Sequence, residues 1–506
     1  MKLRSPWMIA ALLSTACAAA ASAQSGSCES LSSLALPDGA ITMAQSVPAG
    51  ELPQAGGRGR PAPPLKVPAF CRVAATLKPS SDSEIKMEVW LPVSGWNGNF
   101  EGNGNGGWTG SISPATLAAG LERGYAAAMS DLGHEGGSAS FALGHPEKLI
   151  DFGYRAAHEM TVAGKAIVEK FYGRAPKYSY WNGCSAGGRS ALMEAQRYPA
   201  DYDGIVAGSP GLNWTGRAIQ SIWIAQAAHK DEASFIPPAK FAVIHNAVLQ
   251  ACDARDGVKD GVLEDPTRCN FDPKELECKD AEGPACLTKA QVETARLIYT
   301  AYPNQGDKRN IFPGFERGSE LGWATMAGPA PFGPGADLFK YIVFQDPNWD
   351  YKTFDFATDV TRTEKADKGV MNAMNPDLAA FAARGGKMIQ YHGWADPQIA
   401  PGSSVNYYKT VLETMGGAKK VQDFYRLFMV PGMAHCGGGE GTSNFDMLSV
   451  LEQWVEKGKA PEQVPASRVR EGKVDRTRPL CPYPQVAQYR GTGSTDDAAN
   501  FVCKLP

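Results

Sequence analysis

The segment YSYWNGCSAGGRSALMEAQRYP places Ser185 in a Gly-x-Ser-x-Gly pattern, between a strand-like stretch and a helix-like one. A serine on the sharp turn between a buried strand and a helix is typical of the nucleophile elbow of serine hydrolases. Gly183, Ala186 and Gly187 are small enough for such a turn. The motif constrains the fold strongly, because a strand must end and a helix must begin at Ser185. The pattern alone would also fit a glycine-rich turn with an inert serine.

Strand-like stretches alternate with stretches of helical spacing on both sides of this motif. The predicted strands begin near residues 70, 84, 125, 177 and 202, and again near 386 and 424; the predicted helices lie near 117–124, 156–173, 187–199, 403–415 and 444–458. This alternation predicts a doubly wound α/β sheet. It fades between 212 and 374, where a lid is predicted to be inserted. The hydrolase domain is thus predicted as two parts, 24–211 and 375–506, with 24–70 forming an irregular lead-in.

The N-terminus has the pattern of an export signal. Lys2 and Arg4 precede an apolar run, and the small residues Ala21–Ala23 predict cleavage before Gln24. A lipoprotein signal at Cys17 is the alternative, disfavoured because LSTAC lacks a large aliphatic residue three positions earlier. No other stretch approaches the roughly 18 apolar residues of a membrane span. The chain is therefore predicted to be secreted or periplasmic, without a membrane span.

The charge and the cysteines narrow the classes of partner and cofactor. A net charge of −3 gives no electrostatic reason to expect a nucleic-acid partner. Of 11 cysteines, ten remain after removal of the predicted signal, and an even number in an oxidising compartment predicts disulfides. No Cys-x-x-Cys pair is present, and this absence disfavours a zinc site. Nothing in the sequence indicates an oligomeric state.

The base and acid that would act with Ser185 follow from chain order, which in this fold class is serine, acid, histidine. His435 follows the predicted strand FYRLFMV, and Asp396 follows the predicted strand in MIQYHGWADP. Ser185 would attack an ester carbonyl, His435 would take its proton, and Asp396 would orient the imidazole. His392 is predicted to be a structural histidine of the Asp396 loop, and His134 to make a structural hydrogen bond.

An oxyanion hole needs two backbone N–H groups that point at the developing charge. One is predicted from Ala186, the residue after the nucleophile. The other is predicted from Gly106, with Gly107 next, in the loop GNGNGGWTG, since glycine lets backbone approach a ligand closely. A plain turn is the alternative for this loop.

Cys184 directly precedes Ser185, and Cys436 directly follows His435. A working serine–histidine pair needs side-chain atoms within roughly 2.6–3.2 Å, which brings the neighbouring cysteines close together. A disulfide requires Cα atoms roughly 4.4–6.8 Å apart. We therefore predict a bond between Cys184 and Cys436; two buried thiols are the alternative.

The segment CDARDGVKDGVLEDPTRC concentrates three carboxylates, Asp253, Asp256 and Asp260, in one short loop. Carboxylates this close repel each other unless a hard cation neutralises them, and the carbonyls of Val258 and Val262 could complete an oxygen shell. The spacing is similar to that of an EF-hand loop but lacks its twelfth-position glutamate. We predict a structural Ca²⁺ in the lid; a solvated acidic turn is the alternative.

Together, GCSAGGR, HGWADP, PGMAHCGGG and the cysteine-flanked acidic loop resemble the tannase/feruloyl esterase family. The resemblance extends over nearly the whole mature chain. It implies an α/β-hydrolase fold with a large inserted lid, Ser185, Asp396 and His435 as the triad, and the five calcium positions named above. It also implies five disulfides: Cys28–Cys71, Cys184–Cys436, Cys252–Cys269, Cys278–Cys286 and Cys481–Cys503.

The same resemblance implies a small aromatic ester as substrate, of feruloyl (hydroxycinnamoyl) or galloyl type. The lid contains aromatic residues, most of them expected to form its core: Trp323, Phe339, Tyr341, Phe344 and Trp349. Ile399 is predicted near the acyl ring. A mono(hydroxyethyl) terephthalate hydrolase is the alternative, but that member of the family resembles the chain less at Ala186 and Ile399, where it has an acidic and an aromatic residue. An inactive binding protein on a hydrolase fold is a second, different class.

Overall fold

The computed structural model describes residues 27–54, 63–303 and 310–506. The predicted signal peptide 1–23, its cleavage site after Ala23 and the alternative lipoprotein residue Cys17 lie outside the described residues. Within the described ranges, no helix has the length and apolar character needed to cross a membrane.

Strands dominate the N-terminal part of the described chain, and helices become frequent after residue 113. The strands are β1 (Ala35–Leu36), β2 (Gly39–Val47), β3 (Gly50–Leu52), β4 (Leu65–Val67), β5 (Phe70–Leu77), β6 (Ile85–Pro92), β7 (Asn99–Asn103), β8 (Ala126–Ser130), β9 (Tyr178–Cys184), β10 (Gly204–Gly208), β11 (Tyr302–Pro303), β12 (Asn310–Phe312), β13 (Lys387–Gly393), β14 (Tyr425–Val430), β15 (Val464–Arg470), β16 (Lys473–Leu480), β17 (Val486–Tyr489) and β18 (Phe501–Lys504). The α-helices are α1 (Pro114–Glu122), α2 (Pro146–Ile150), α3 (Ala156–Tyr172), α4 (Ala186–Arg197), α5 (Trp214–Ala228), α6 (Phe241–Cys252), α7 (Lys289–Tyr299), α8 (Ala324–Ala327), α9 (Gly333–Asp337), α10 (Asp359–Asp367), α11 (Ala379–Ala383), α12 (Gly402–Thr414), α13 (Ala418–Val421) and α14 (Met447–Lys457).

Ten strands form one mixed sheet in the order β1-β2-β5-β6-β8-β7-β9-β10-β13-β14. The strands from β8 to β14 pair in parallel, and those from β1 to β6 pair antiparallel, with β6 joining the two parts by an antiparallel pairing to β8. Because β9, β13 and β14 run in the same direction, their carboxyl ends meet at one edge of the sheet. The loops that follow these three strands carry the predicted nucleophile, acid and base.

Helices cover both faces of the parallel part, and this explains why its strands are apolar on both sides. Successive residues of β9, Tyr180 and Trp181, point to opposite faces and enter different core clusters. Trp181 packs in the cluster that includes α3 and α4, whereas Tyr180 packs in the cluster that includes α14. The α14 helix turns Leu448, Leu451 and Trp454 toward the sheet, three residues apart along one face.

The chain between β10 and β13 supplies α5–α11 and the β11–β12 hairpin, where a lid over 212–374 is predicted from the sequence. Part of this segment has its own core, with Phe241, Ile244 and Trp323 among the buried residues. The first half of α5 belongs instead to the main core through Trp214 and Ile219. The lid and the hydrolase core are therefore continuous through α5.

The expectation of an irregular lead-in over 24–70 is wrong for its described part. β2 pairs antiparallel with β5 across eight residue pairs, and the Cys28–Cys71 disulfide joins the 3₁₀ helix Cys28–Ser33 to β5. β2 lies near the sheet edge and is only partly buried. A strand with so few buried positions lacks the apolar alternation by which strands are recognised in a sequence.

Candidate active site

Ser185 lies on a strained turn between β9 and α4, with φ 63° and ψ −118°. Residues other than glycine rarely adopt this conformation, and it persists only where the surroundings enforce it. The Ser185 amide donates to the carbonyl of Gly208 at 2.9 Å, and the Ser185 carbonyl accepts from the amide of Gly211 at 3.1 Å. A Cβ at position 183 would lie 2.5 Å from the carbonyl oxygen of Gly187, so the turn requires glycine there. The chain between β9 and α4 thus forms the predicted sharp strand-to-helix turn at Ser185, and the role of Ser185 as nucleophile stays a prediction.

Asp396 and His435 follow the ends of β13 and β14 and are hydrogen-bonded to each other. His435 Nδ1 lies 2.7 Å from Asp396 Oδ2. The Asp396 side chain is fully buried, and 13% of the His435 side chain is exposed. With the Nδ1 proton directed at the carboxylate, Nε2 is left as the acceptor for a proton from a nucleophile.

The carboxylate of Asp396 is held by several further groups. The amides of Gln398 and Ile399 donate to its Oδ1 at 2.8 and 3.0 Å, and His392 Nε2 lies 3.1 Å from its Oδ2. Burial alone would raise the pKa of Asp396, but the charge of His435 and the hydrogen bonds from both histidines outweigh it and hold the pKa well below its usual value. The carboxylate therefore stays ionised beside His435.

A disulfide joins the two loops, with the Cα atoms of Cys184 and Cys436 6.0 Å apart. Ser185 and His435, the sequence neighbours of these cysteines, lie about half the chain apart in the sequence, and the bond joins the two loops that carry them. The other four predicted pairs form as well: Cys28–Cys71, Cys252–Cys269, Cys278–Cys286 and Cys481–Cys503. With Cys184–Cys436, all five predicted disulfides are confirmed.

The glycine-rich loop after β7 packs against the first turn of α4. A Cβ at position 104 would lie 2.4 Å from the Cα of Gly187, and the amide of Gly187 donates to the carbonyl of Asn105 at 2.6 Å. Gly106 is exposed, and Gly107 has φ 55°. The loop that contains the predicted oxyanion donors thus lies beside Ala186, and the roles of Gly106 and Ala186 stay predictions.

The side chain of Asn105 was not singled out from the sequence, yet it holds this loop in shape. Its amide nitrogen lies 3.3, 2.8 and 3.2 Å from the carbonyl oxygens of Thr109, Ser111 and Ser130. Asn105 is buried. An asparagine among glycines gives no signal of burial in the sequence, because the same composition is typical of exposed turns.

Two further predicted residues have structural contacts. Ile399 is 1% exposed and packs in the lid core, and its carbonyl accepts from His392 Nε2 at 3.1 Å. His134 is buried, with Nε2 2.8 Å from the carbonyl oxygen of Trp108 and its ring stacked on Phe141.

The aromatic residues of the lid mostly belong to the core, as expected. Trp323, Phe339 and Trp349 are buried, and Tyr341 and Phe344 pack against the main core.

The predicted calcium residues lie in the loop that follows α6, closed by the Cys252–Cys269 disulfide. The carboxylate of Asp253 accepts from the amides of Asp260 and Gly261, and Asp256 accepts from Val258 and Glu264. Asp260 is also paired with two arginines of β16, Arg476 and Arg478. In the part of the chain that the structure describes, no group of three or more His, Cys, Asp or Glu side chains is arranged around a metal position.

Comparisons with known proteins decide the family. The sequence model described as "Tannase and feruloyl esterase" matches residues 71–504. The chain belongs to the tannase and feruloyl esterase family. It is 40% identical to an uncharacterized esterase of Xanthomonas campestris, over 99% of this chain and 94% of that protein. It is 35% identical to a probable feruloyl esterase B-1 of Aspergillus fumigatus, over 86% of this chain and 85% of the relative.

The fold is that of a solved member of the tannase and feruloyl esterase family. The crystal structure of feruloyl esterase B from Aspergillus oryzae aligns with a TM-score of 0.88 at 32% identity, over 94% of this chain and 99% of that one. The predicted α/β-hydrolase fold is confirmed by this match. So is the prediction that the chain is a carboxylic ester hydrolase of the tannase and feruloyl esterase type.

Replacing Asn105 with aspartate tests whether the glycine-rich loop positions catalytic groups. The change keeps the shape of the side chain but removes the amide N–H groups that face the carbonyl oxygens of Thr109, Ser111 and Ser130. We expect kcat to fall by about 10- to 100-fold with KM nearly unchanged, because the loss of oriented backbone donors acts on the transition state.

Asn103→Asp is the matched control, since Asn103 is buried in β7 and its amide lies 3.4 Å from the carbonyl oxygen of Ala128, outside the loop. Ester hydrolysis and thermal unfolding are measured for both variants. A decrease in kcat that follows the loss of melting temperature equally in both variants would contradict the positioning role.

Proposed function

We propose that the protein is an exported serine esterase that hydrolyses esters of aromatic acids, of the hydroxycinnamoyl or galloyl type. One observation carries the proposal. The His435–Asp396 pair is joined by the Cys184–Cys436 disulfide to a serine held at φ 63° in an elbow between β9 and α4. A histidine oriented by a buried carboxylate beside an elbow serine is the arrangement that activates a hydroxyl as nucleophile.

In this mechanism Ser185 Oγ attacks the ester carbonyl while its proton passes to His435 Nε2. Asp396 keeps the imidazole oriented and stabilises the imidazolium, since the carboxylate stays ionised. The oxyanion accepts hydrogen bonds from the backbone N–H groups of Ala186 and Gly106. His435 then protonates the leaving alcohol, and an acyl-enzyme remains on Ser185. A water that gives its proton to His435 attacks the acyl group, and the acid leaves as Ser185 takes the proton back.

The acyl preference rests on the relatives and on the residues next to the nucleophile and the acid. Curated relatives at 34–35% identity bear the name probable feruloyl esterase B. Ala186 is small and Ile399 is aliphatic, where the terephthalate-ester hydrolases are expected to have an acidic and an aromatic residue. A feruloyl-type ester is therefore proposed ahead of a terephthalate monoester. An inactive binding protein is disfavoured by the complete set of Ser185, His435 and Asp396.

Export is proposed from two features. The N-terminal 23 residues have the pattern of a signal peptide, and all ten cysteines of the remaining chain are paired in the structure. Disulfides of this number form and persist in oxidising compartments. The proposed location is therefore extracellular or periplasmic.

A structural Ca²⁺ in the lid is proposed from the chemistry of the donors. Asp253, Asp256 and Asp260 offer carboxylate oxygens, and Val258 and Val262 offer carbonyls, which are the ligands that Ca²⁺ prefers. Asp256, Val258, Asp260 and Val262 line one small cavity. When bound, the ion would supply positive charge to the acidic loop and stabilise the fold without taking part in the reaction.

We expect Ser185→Ala and His435→Ala each to lower kcat by about 10⁴-fold or more, and the double variant to lose little beyond either single one, because the residues act as one unit. Initial rates are measured with methyl ferulate, methyl gallate and mono(hydroxyethyl) terephthalate. The ratios of kcat/KM rank the substrates, with methyl ferulate expected to exceed the terephthalate ester.

His145→Ala is the control for the histidine variant, because His145 Nδ1 lies 2.8 Å from Asp82 on the surface without a neighbouring elbow serine. This variant should keep the activity of the natural chain. Activity of Ser185→Ala comparable with that of the natural chain would contradict the proposed nucleophile. A higher kcat/KM for the terephthalate ester would favour the alternative substrate.

We expect EDTA to lower the melting temperature by roughly 3–8 °C while kcat at permissive temperature changes little, since an ion that binds only the folded state stabilises it by mass action. Calcium should restore the loss. Asp256→Asn should lack the response, whereas the control Asp272→Asn, at an acidic residue paired with Arg296 in the same lid, should keep it. An unchanged melting temperature with EDTA would contradict the proposed ion.

A further inference from the structure

Arg217, in the second turn of α5, is a buried cation that the sequence did not indicate. It is 5% exposed. Its guanidinium lies 5.3 Å from the centre of the Trp214 ring and 4.7 Å from that of the lid residue Phe332. Its Nε donates to the carbonyl of Gln398 at 3.3 Å. A buried guanidinium costs free energy unless its donors and its charge are compensated.

The compensation that this protein gives Arg217 is incomplete. In the described ranges, no carboxylate lies within ion-pair distance of it, and its Nη1 and Nη2 have no hydrogen-bond partner. Asp396 attracts it through space, but the carboxylate oxygens of Asp396 already accept from His435, His392 and the loop amides. Burial lowers the pKa of Arg217 to about 10, so that it remains charged at neutral pH. The four N–H groups of its two Nη atoms are left without a hydrogen-bond acceptor among the described residues.

The surroundings of Arg217 lie next to the nucleophile. The amide of Gly211 donates to the carbonyl of Ser185, and a Cβ at position 211 would lie 3.2 Å from the Trp214 ring and 3.7 Å from Ile399 Cδ1. Trp214 therefore lies between Gly211, whose amide holds the Ser185 carbonyl, and the guanidinium of Arg217. The guanidinium lies where α5, the Asp396 loop and the lid meet.

We propose that Arg217 forms a subsite for a carboxylate carried by the substrate ester, apart from the ester group itself. The planar guanidinium matches a carboxylate with two parallel hydrogen bonds, and burial strengthens such a pair. A substrate carboxylate would accept one hydrogen bond from each Nη atom and balance the buried charge. The proposal rests on the proposed esterase function, and among esters of the proposed hydroxycinnamoyl and galloyl type it predicts a preference for those that carry a free acid.

The test compares matched esters that differ only in the free acid. One pair is monomethyl terephthalate and dimethyl terephthalate, with the acid on the acyl side. The other pair is chlorogenate and its methyl ester, with the acid on the alcohol side. The ratio of kcat/KM for the acid to that for the neutral ester is measured for the natural chain, Arg217→Met and Arg217→Lys, with thermal unfolding of each variant.

In at least one pair, we expect Arg217→Met to lower the ratio by about tenfold or more, mainly through KM of the acid, as for loss of a charge-assisted hydrogen bond. Arg217→Lys keeps the charge without the planar fork and should lower the ratio by a smaller factor; it carries the test if Arg217→Met does not fold. Arg362→Met is the control, because Arg362 lies 4.3 Å from the centre of the Phe344 ring on the exposed side of α10. Its ratio should not change.

Unchanged ratios in both pairs, or equal losses for acid and neutral esters, would overturn the subsite and leave Arg217 as a support of the Asp396 loop. If the natural chain hydrolyses none of these four esters and does not hydrolyse methyl ferulate either, the proposed function is contradicted instead. The two failures are thus distinguishable, because the subsite is measured as a ratio on an enzyme that turns over neutral esters.

Discussion

The Cys184–Cys436 disulfide is the constraint on which the site depends. It closes a loop of 252 residues and joins the strained elbow of Ser185 to the loop of His435. The backbone is strained at both ends of this link, because Ser185 and Cys436 have φ values of 63° and 62°, which residues other than glycine rarely adopt. A covalent link between two such turns limits how far the proposed nucleophile, Ser185, and the proposed base, His435, can separate. The parallel strands β9 and β14 bring the loops to one edge of the sheet, and the disulfide sets their final separation.

The position of Asp396, the proposed acid, depends on the lid as well as on the sheet. The segment after Asp396 enters the lid core through Ile399, whose amide also bonds the carboxylate. A Cβ at position 322 of the lid would lie 2.4 Å from Pro397 Cγ, so lid and loop are in close contact there. Arg217 adds a link between α5 and Gln398. Changes in lid packing should therefore reach the orientation of His435 through Asp396.

Features with local signatures could be predicted from the sequence. The elbow of Ser185 has a strand, small residues and a helix in a fixed order, and Asp396 and His435 follow strands with clear apolar runs. The disulfide between Cys184 and Cys436 followed from its position beside these residues. The remaining pairs followed from the family resemblance.

Features set by tertiary contacts could not be predicted in this way. The strand β2, second from the edge of the sheet, is only partly buried, and its pairing with β5 depends on contacts across the sheet. Asn105 and Arg217 belong to residue types that are usually exposed, and each is buried by neighbours distant in sequence. The C-terminal hairpins β15–β16 and β17–β18 pair outside the main sheet, where no alternation with helices indicates them.

The most direct test of the central claim is kcat of the double variant Cys184→Ala/Cys436→Ala, compared with Cys278→Ala/Cys286→Ala, which removes a lid disulfide closing only eight residues. Ester hydrolysis is measured below the melting temperature of each variant, after mapping of disulfides in the non-reduced natural chain. We predict that the first variant loses about 100-fold or more in kcat, the scale of a misplaced catalytic group, while the second keeps its kcat. Full kcat in the first variant, or free thiols at Cys184 and Cys436 in the natural chain, would contradict the account.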